Sequence, residues 1–159
     1  MIAEHSSSLS AHGRLLHTHR PSVVVADDDA DARELLASAL ASDGYAVTEA
    51  RDGYELLGLL AASVTRAPGH LRFDAIVTDV MMPGFSGLDV LTAVQRHLEG
   101  VPVLVVTAFG DARVCRIAEA LGSIAVLSKP FDLDDLRTTL ANAIARPKGP
   151  PSSPDVETG

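Results

Sequence analysis

Residues 22–29 read SVVVADDD, and they set the grammar of the whole chain. An unbroken β-branched run, with no polar alternation, is the pattern of a strand buried on both faces. It stops abruptly in three aspartates. The pattern recurs in FDAIVTD (73–79), VLVVT (103–107) and IAVLSKP (124–130). Between the apolar runs the leucines and alanines fall at helical spacing, as in Leu35, Leu36, Ala39 and Leu40. The spacing predicts strands over Ser22–Ala26, Ala46–Ala50, Phe73–Thr78, Val103–Thr107 and Ile124–Leu127. It predicts helices over Asp31–Ser42, Gly53–Ala62, Leu88–Leu98, Ala112–Leu121 and Leu133–Ala145. Gly44 and Gly122 are read as helix stops, and Asp29 and Asp132 as N-caps. Strand–helix alternation with short links calls for a parallel sheet covered on both faces.

In such sheets ligands sit beyond the carboxyl ends of the strands. The residues that end these strands are Asp27-Asp28-Asp29, Asp79, Thr107 and Ser128-Lys129-Pro130. Crowded carboxylates repel one another, and a hard cation relieves the repulsion. Mg²⁺ suits two or three carboxylates, a backbone carbonyl and waters. Lys129 adds a compact positive charge. Thr107 adds a hydroxyl donor. A cation, an ammonium and a hydroxyl around one carboxylate suit a transferred phosphoryl group, whose transition state needs chiefly positioning and charge neutralisation. Asp79 is then the nucleophile that forms an acyl phosphate.

Four segments carry a family resemblance: VVVADDDADARELL (23–36), IVTDVMMPGFSGLDVL (76–91), VLVVTAFGD (103–111) and LSKPF (127–131). In this order and spacing the chain resembles the receiver domains of two-component response regulators. The resemblance covers nearly all of residues 22–146. It implies a flavodoxin-like fold with strand order 2-1-3-4-5. It implies that Asp27 and Asp28 are the acidic pair, with Asp28 the more direct metal ligand. Asp79 corresponds to the phosphoacceptor, and Met81 lends a backbone carbonyl to Mg²⁺ or Mn²⁺. Thr107 and Lys129 contact phosphoryl oxygens, and Lys129–Pro130 is expected to be a cis peptide. The implied partner is a sensor histidine kinase or a histidine phosphotransfer protein. Two departures stand out. Val126 occupies the position where many members carry the Tyr or Phe of a rotamer switch. The link Ser63–Arg72 is longer than usual.

Composition narrows the function classes. The formal net charge of -8 argues against a nucleic-acid backbone as main partner. No apolar run approaches the roughly 20 residues that span a bilayer. Cys115 is the single cysteine, so no intramolecular disulfide forms. A cytoplasmic protein is expected. Residues 1–20 and 147–159 are too polar or too rich in Pro, Gly and Ser to pack, so flexible tails are expected around a receiver body of 21–146. No output domain follows the fifth helix, so a stand-alone member that signals by protein contact or onward phosphotransfer is expected. His12, His17 and His19 are read as polar tail rather than metal tract, and His70 and His97 as surface. Met81 and Met82 are read as loop packing. Two alternatives remain: a metal-dependent phosphatase with an aspartyl-phosphate intermediate, and a pseudo-receiver scaffold. Val80 and Met81 follow Asp79 where that phosphatase class carries a second Asp. The full set Asp27, Asp28, Asp79, Thr107 and Lys129 weighs against the scaffold.

Overall fold

The computed structural model describes residues 19–65, 72–108 and 112–146. Within them five strands alternate with five helices. The order is β1 (Ser22–Ala26), α1 (Ala30–Ser42), β2 (Ala46–Ala50), α2 (Gly53–Val64), β3 (Ala75–Asp79), α3 (Gly87–His97), β4 (Val103–Thr107), α4 (Ala112–Ala120), β5 (Ala125–Ser128) and α5 (Leu133–Ala145). All strand pairs are parallel, and the order across the sheet is β2-β1-β3-β4-β5. The predicted fold class and strand order are what the molecule has.

Period-two alternation divides the core. Val24, Ile76 and Val105 face one way, onto Leu56 and Leu60 of α2, Val90, Leu91 and Val94 of α3 and Ala118 of α4. Val23, Val25, Val77, Leu104 and Val106 face the other way, onto Leu36 and Leu40 of α1 and Leu136 and Leu140 of α5. The central strands β1, β3 and β4 are therefore sealed on both sides, which is why their sequences lack alternation. The edge strands β2 and β5 keep partial exposure.

Where the ends of the elements differ from expectation, they do so by one or two residues. β3 begins at Ala75 rather than Phe73, because the ladder to β1 starts at Val23↔Ala75. Phe73 is buried all the same. β3 includes Asp79, which pairs with Val106 of β4. β5 lies one residue later than predicted, in register with β4 from Leu104↔Ala125 to Thr107↔Ser128. α2 continues to Val64, and α3 starts at Gly87, capped by a reciprocal Ser86–Asp89 box. α4 ends at Ala120 and α1 starts at Ala30. The expected caps form: Asp29 accepts from the amides of Asp31 and Ala32, and Asp132 from that of Asp134. Gly44 and Gly122 carry the positive φ of helix stops. The tail segments 1–18 and 147–159, with His12 and His17, and the stretch 66–71, with His70, lie outside the described residues. His19 and His97 are exposed.

Candidate functional site

Four strand ends deliver the site: Asp27 directly follows β1, Asp79 ends β3, Thr107 ends β4, and Lys129 directly follows β5. Sheet register brings Asp79 beside Val106 and Thr107 beside Ser128. Asp27 and Thr107 are wholly buried and Asp79 is 6% exposed. Asp28 is exposed, yet one carboxylate oxygen each from Asp27, Asp28 and Asp79 lies within 4.8 Å of the others. The acidic pair and the strand-end aspartate predicted from sequence thus meet.

Each buried carboxylate is held at both oxygens. Asp27 Oδ1 accepts from the Asp29 amide at 3.0 Å, and Oδ2 from Lys129 Nζ at 2.7 Å. Asp79 Oδ1 accepts from the Met81 amide at 2.9 Å, and Oδ2 from Lys129 Nζ at 2.8 Å. Burial alone lowers the Lys129 pKa. The hydrogen bonds and charges of Asp27 and Asp79 outweigh it, so the ammonium titrates above its ordinary 10.5. Lys129 therefore stays charged at neutral pH and balances one of the two buried negative charges. Its own amide donates to the Thr107 carbonyl at 2.8 Å, and the Lys129–Pro130 peptide is cis, as expected.

Two glycines give the site its close approaches. A Cβ on Gly87 would sit on the Asp79 carbonyl oxygen, and one on Gly53 on the Phe85 carbonyl oxygen. Without side chains there, the start of α3 packs onto the end of β3, and the start of α2 onto the loop after it. Tyr54 and Phe85 then meet edge to face at 5.0 Å between ring centres. Met82 is buried as predicted, but Met81 is 58% exposed. The loop turns the Met81 side chain outward, so the reading of Met81 as loop packing is corrected. Asp29, bound to α1 amides, is a cap rather than a member of the cluster.

Sequence reasoning missed Arg33. From α1 its Nη1 donates to the Asp27 carbonyl at 2.9 Å, and its Nε donates to Glu49 Oε1 of β2 at 3.2 Å. The Arg33 side chain is only 16% exposed. A partly buried arginine is a signal only in three dimensions, since on paper Arg33 is one polar position of an amphipathic helix.

The sequence model of the family described as response regulator receiver domain matches residues 23–141. This chain belongs to that family. Among curated relatives it is 37% identical over 134 residues to "Response regulator MprA" of Mycobacterium sp. (strain KMS), covering 84% of this chain and 54% of the relative. It is 35% identical over 127 residues to "Transcriptional regulatory protein FixJ" of Bradyrhizobium diazoefficiens, covering 80% and 58%. The chain thus spans a little over half the length of these relatives. Among solved structures it is similar to the receiver domain of Francisella response regulator 1452, with a TM-score of 0.70, 28% identity and coverage of 79% and 97%. It is also similar to response regulator TrrA of Thermotoga maritima in complex with Mg(2+)-BeF, with a TM-score of 0.65, 25% identity and coverage of 77% and 98%.

The receiver's acidic cluster has the donor set of a divalent hard-cation site. Asp27, Asp28 and Asp79 offer carboxylate oxygens, one of them on an exposed residue open to water-bearing ions, in keeping with a cation that retains several waters. Val126, at the expected switch position, is partly buried against the α2–α3–α4 side of the core and pairs with Val105. Phe109 and Gly110 of the neighbouring loop lie outside the described residues. Among the described residues no helix is long and apolar enough to cross a membrane.

Proposed function

We propose that this receiver accepts a phosphoryl group on Asp79 from a phosphohistidine of a sensor histidine kinase or a histidine phosphotransfer protein. Mg²⁺ or Mn²⁺ would be held by Asp27, Asp28, Asp79 and the Met81 carbonyl. One observation carries the reading: three carboxylates lie within 4.8 Å, and one ammonium bridges the two buried ones.

In the step, an Asp79 carboxylate oxygen forms a bond to phosphorus while the donor's N–P bond breaks. The leaving imidazole keeps the electron pair, and an acyl phosphate remains on Asp79. The Asp79 carboxylate accepts from the Lys129 ammonium, and a carboxylate nucleophile has no proton to lose, so no general base is required. The Met81 amide steadies one carboxylate oxygen during attack. Lys129, tethered by Asp27, stays beside the acceptor to pair with the incoming phosphoryl oxygens, and Thr107 supplies a hydroxyl to them from the end of β4. A bound divalent ion supplies positive charge against the phosphoryl oxygens. The phosphorylated domain then acts through protein contact or passes the group onward.

The test is incubation with acetyl phosphate and Mg²⁺ followed by intact-mass measurement. Wild type gains one phosphoryl adduct, which chelator abolishes, and Asp79→Asn gains none. An adduct of equal yield on the variant refutes the assignment.

A further inference from the structure

We infer that Arg33 is a positioning residue for the divalent-cation site, acting through the backbone of the acidic turn; the inference rests on the metal reading proposed above. All four polar atoms of Asp27 are engaged. Its amide donates to the Ala50 carbonyl at 3.2 Å, and its Oδ1 and Oδ2 accept from the Asp29 amide and Lys129. Its carbonyl accepts from Arg33 Nη1 at 2.9 Å. That last bond matters for the next residue. The Asp27 C=O lies in the planar peptide that leads into Asp28, so fixing the oxygen fixes the plane from which Asp28 departs.

Asp28 needs such help. It is the exposed member of the cluster, and among the described residues its carboxylate makes no hydrogen bond or ion pair. Its direction is set by the backbone on either side. Asp29 is held on one side by capping α1, and the Asp27 carbonyl is held on the other by Arg33. Arg33 is itself braced, because Glu49 on β2 accepts from its Nε at 3.2 Å. The fork therefore ties α1, β2 and the metal-facing turn together. Lysine carries the charge but lacks the second arm.

Geometry and charge predict opposite signs, which makes the inference decidable. A positive charge near the cluster opposes cation binding, so its removal tightens binding if charge alone matters. If positioning matters, removal loosens binding, because an ion held by few protein oxygens needs each of them in place, and Mg²⁺ in particular tolerates little departure from octahedral geometry. Outer partners of metal ligands typically contribute tenfold or more to affinity.

The experiment measures Mn²⁺ affinity from the free-ion paramagnetic resonance signal at fixed pH and ionic strength. Wild type is compared with Arg33→Lys, Arg33→Gln and Glu49→Gln, and each is also melted in chelator. Both arginine variants are expected to bind about tenfold more weakly. Glu49→Gln is expected to show a smaller loss. At saturating Mn²⁺, phosphoryl uptake returns toward the wild-type rate. A merely structural role lowers the melting point and leaves the affinity unchanged, which overturns the inference. Equal or tighter binding by Arg33→Gln also overturns it. If that variant fails to fold, unchanged affinity in Arg33→Lys and Glu49→Gln overturns it in the same way. A wild type that binds no Mn²⁺ overturns the metal reading and this inference together, whereas wild-type binding with unaffected variants overturns the inference alone.

Discussion

Replacing Asp28 by Asn should make the metal-free domain more stable and the metal-loaded domain less so. The magnitude follows from the site's charges. Asp28 faces Asp27 and Asp79 within 4.8 Å, while Lys129 bridges those two at 2.7 and 2.8 Å. The three groups sum to one negative charge, so Asp28 sees one uncompensated repulsion. At 4.8 Å, that repulsion is about 0.9 kcal/mol in bulk-water dielectric and about 3.5 kcal/mol at an effective dielectric of 20. Asp28 is exposed, and salt screens it, so the lower figure governs. Asn keeps the shape and breaks no bond among the described residues. A gain of about 1 kcal/mol raises the melting temperature by about 2–4 °C for a chain of this size. With Mg²⁺ at about 100 times its Kd, wild type gains about 2.7 kcal/mol by mass action and the variant gains little, so the order reverses. The assay is thermal unfolding by circular dichroism, in chelator and in Mg²⁺. The gap in chelator should narrow as NaCl is raised. A variant that melts no higher than wild type in chelator, or that gains as much from Mg²⁺, refutes the reasoning.

Other consequences can be checked in the same way. Gly87→Ala forces a Cβ onto the Asp79 carbonyl, a backbone atom that cannot rotate away, and should cost about 1–3 kcal/mol in denaturant unfolding. Lys129 has a folded pKa above its ordinary 10.5, so its stabilising contribution is complete below that value and is lost only as pH rises through the folded pKa. Between pH 7 and 9, the difference in stability between wild type and Lys129→Met should accordingly stay flat; a slope in that window contradicts the raised pKa. Asp29→Ala should lower the melting point through loss of the α1 cap, worth about 1 kcal/mol, and should cost less Mg²⁺ affinity than Asp28→Ala does. Equal loss of affinity in Asp29→Ala and Asp28→Ala would contradict the separation of cap from ligand.

The sequence by itself determined the sheet, its helices and the strand ends. A strand sealed on both faces is apolar along most of its length rather than at alternate positions, so SVVVA and VLVVT announce central strands without any knowledge of their neighbours. Caps are equally local, which is why Asp29 and Asp132 could be named from a few residues on either side. Strand limits were less legible, because a residue belongs to a strand only if a distant partner pairs with it. Phe73 is apolar and buried like Ala75, Ile76 and Val77 of β3, yet it precedes the first rung of the β1–β3 ladder. Met81 and Met82 look alike on paper, and only the turn after β3 sends one outward and the other into the core. The tertiary structure also decided how the site is held. Lys129 lies 102 residues from Asp27 and 50 from Asp79, and its bridge between them exists only because β1, β3 and β5 end on the same edge. Arg33 carries no sequence signal for its hold on the Asp27 carbonyl, since a backbone acceptor has no residue type to betray it. Residue types declare which chemistry is available, and only chain folding declares which atoms share it.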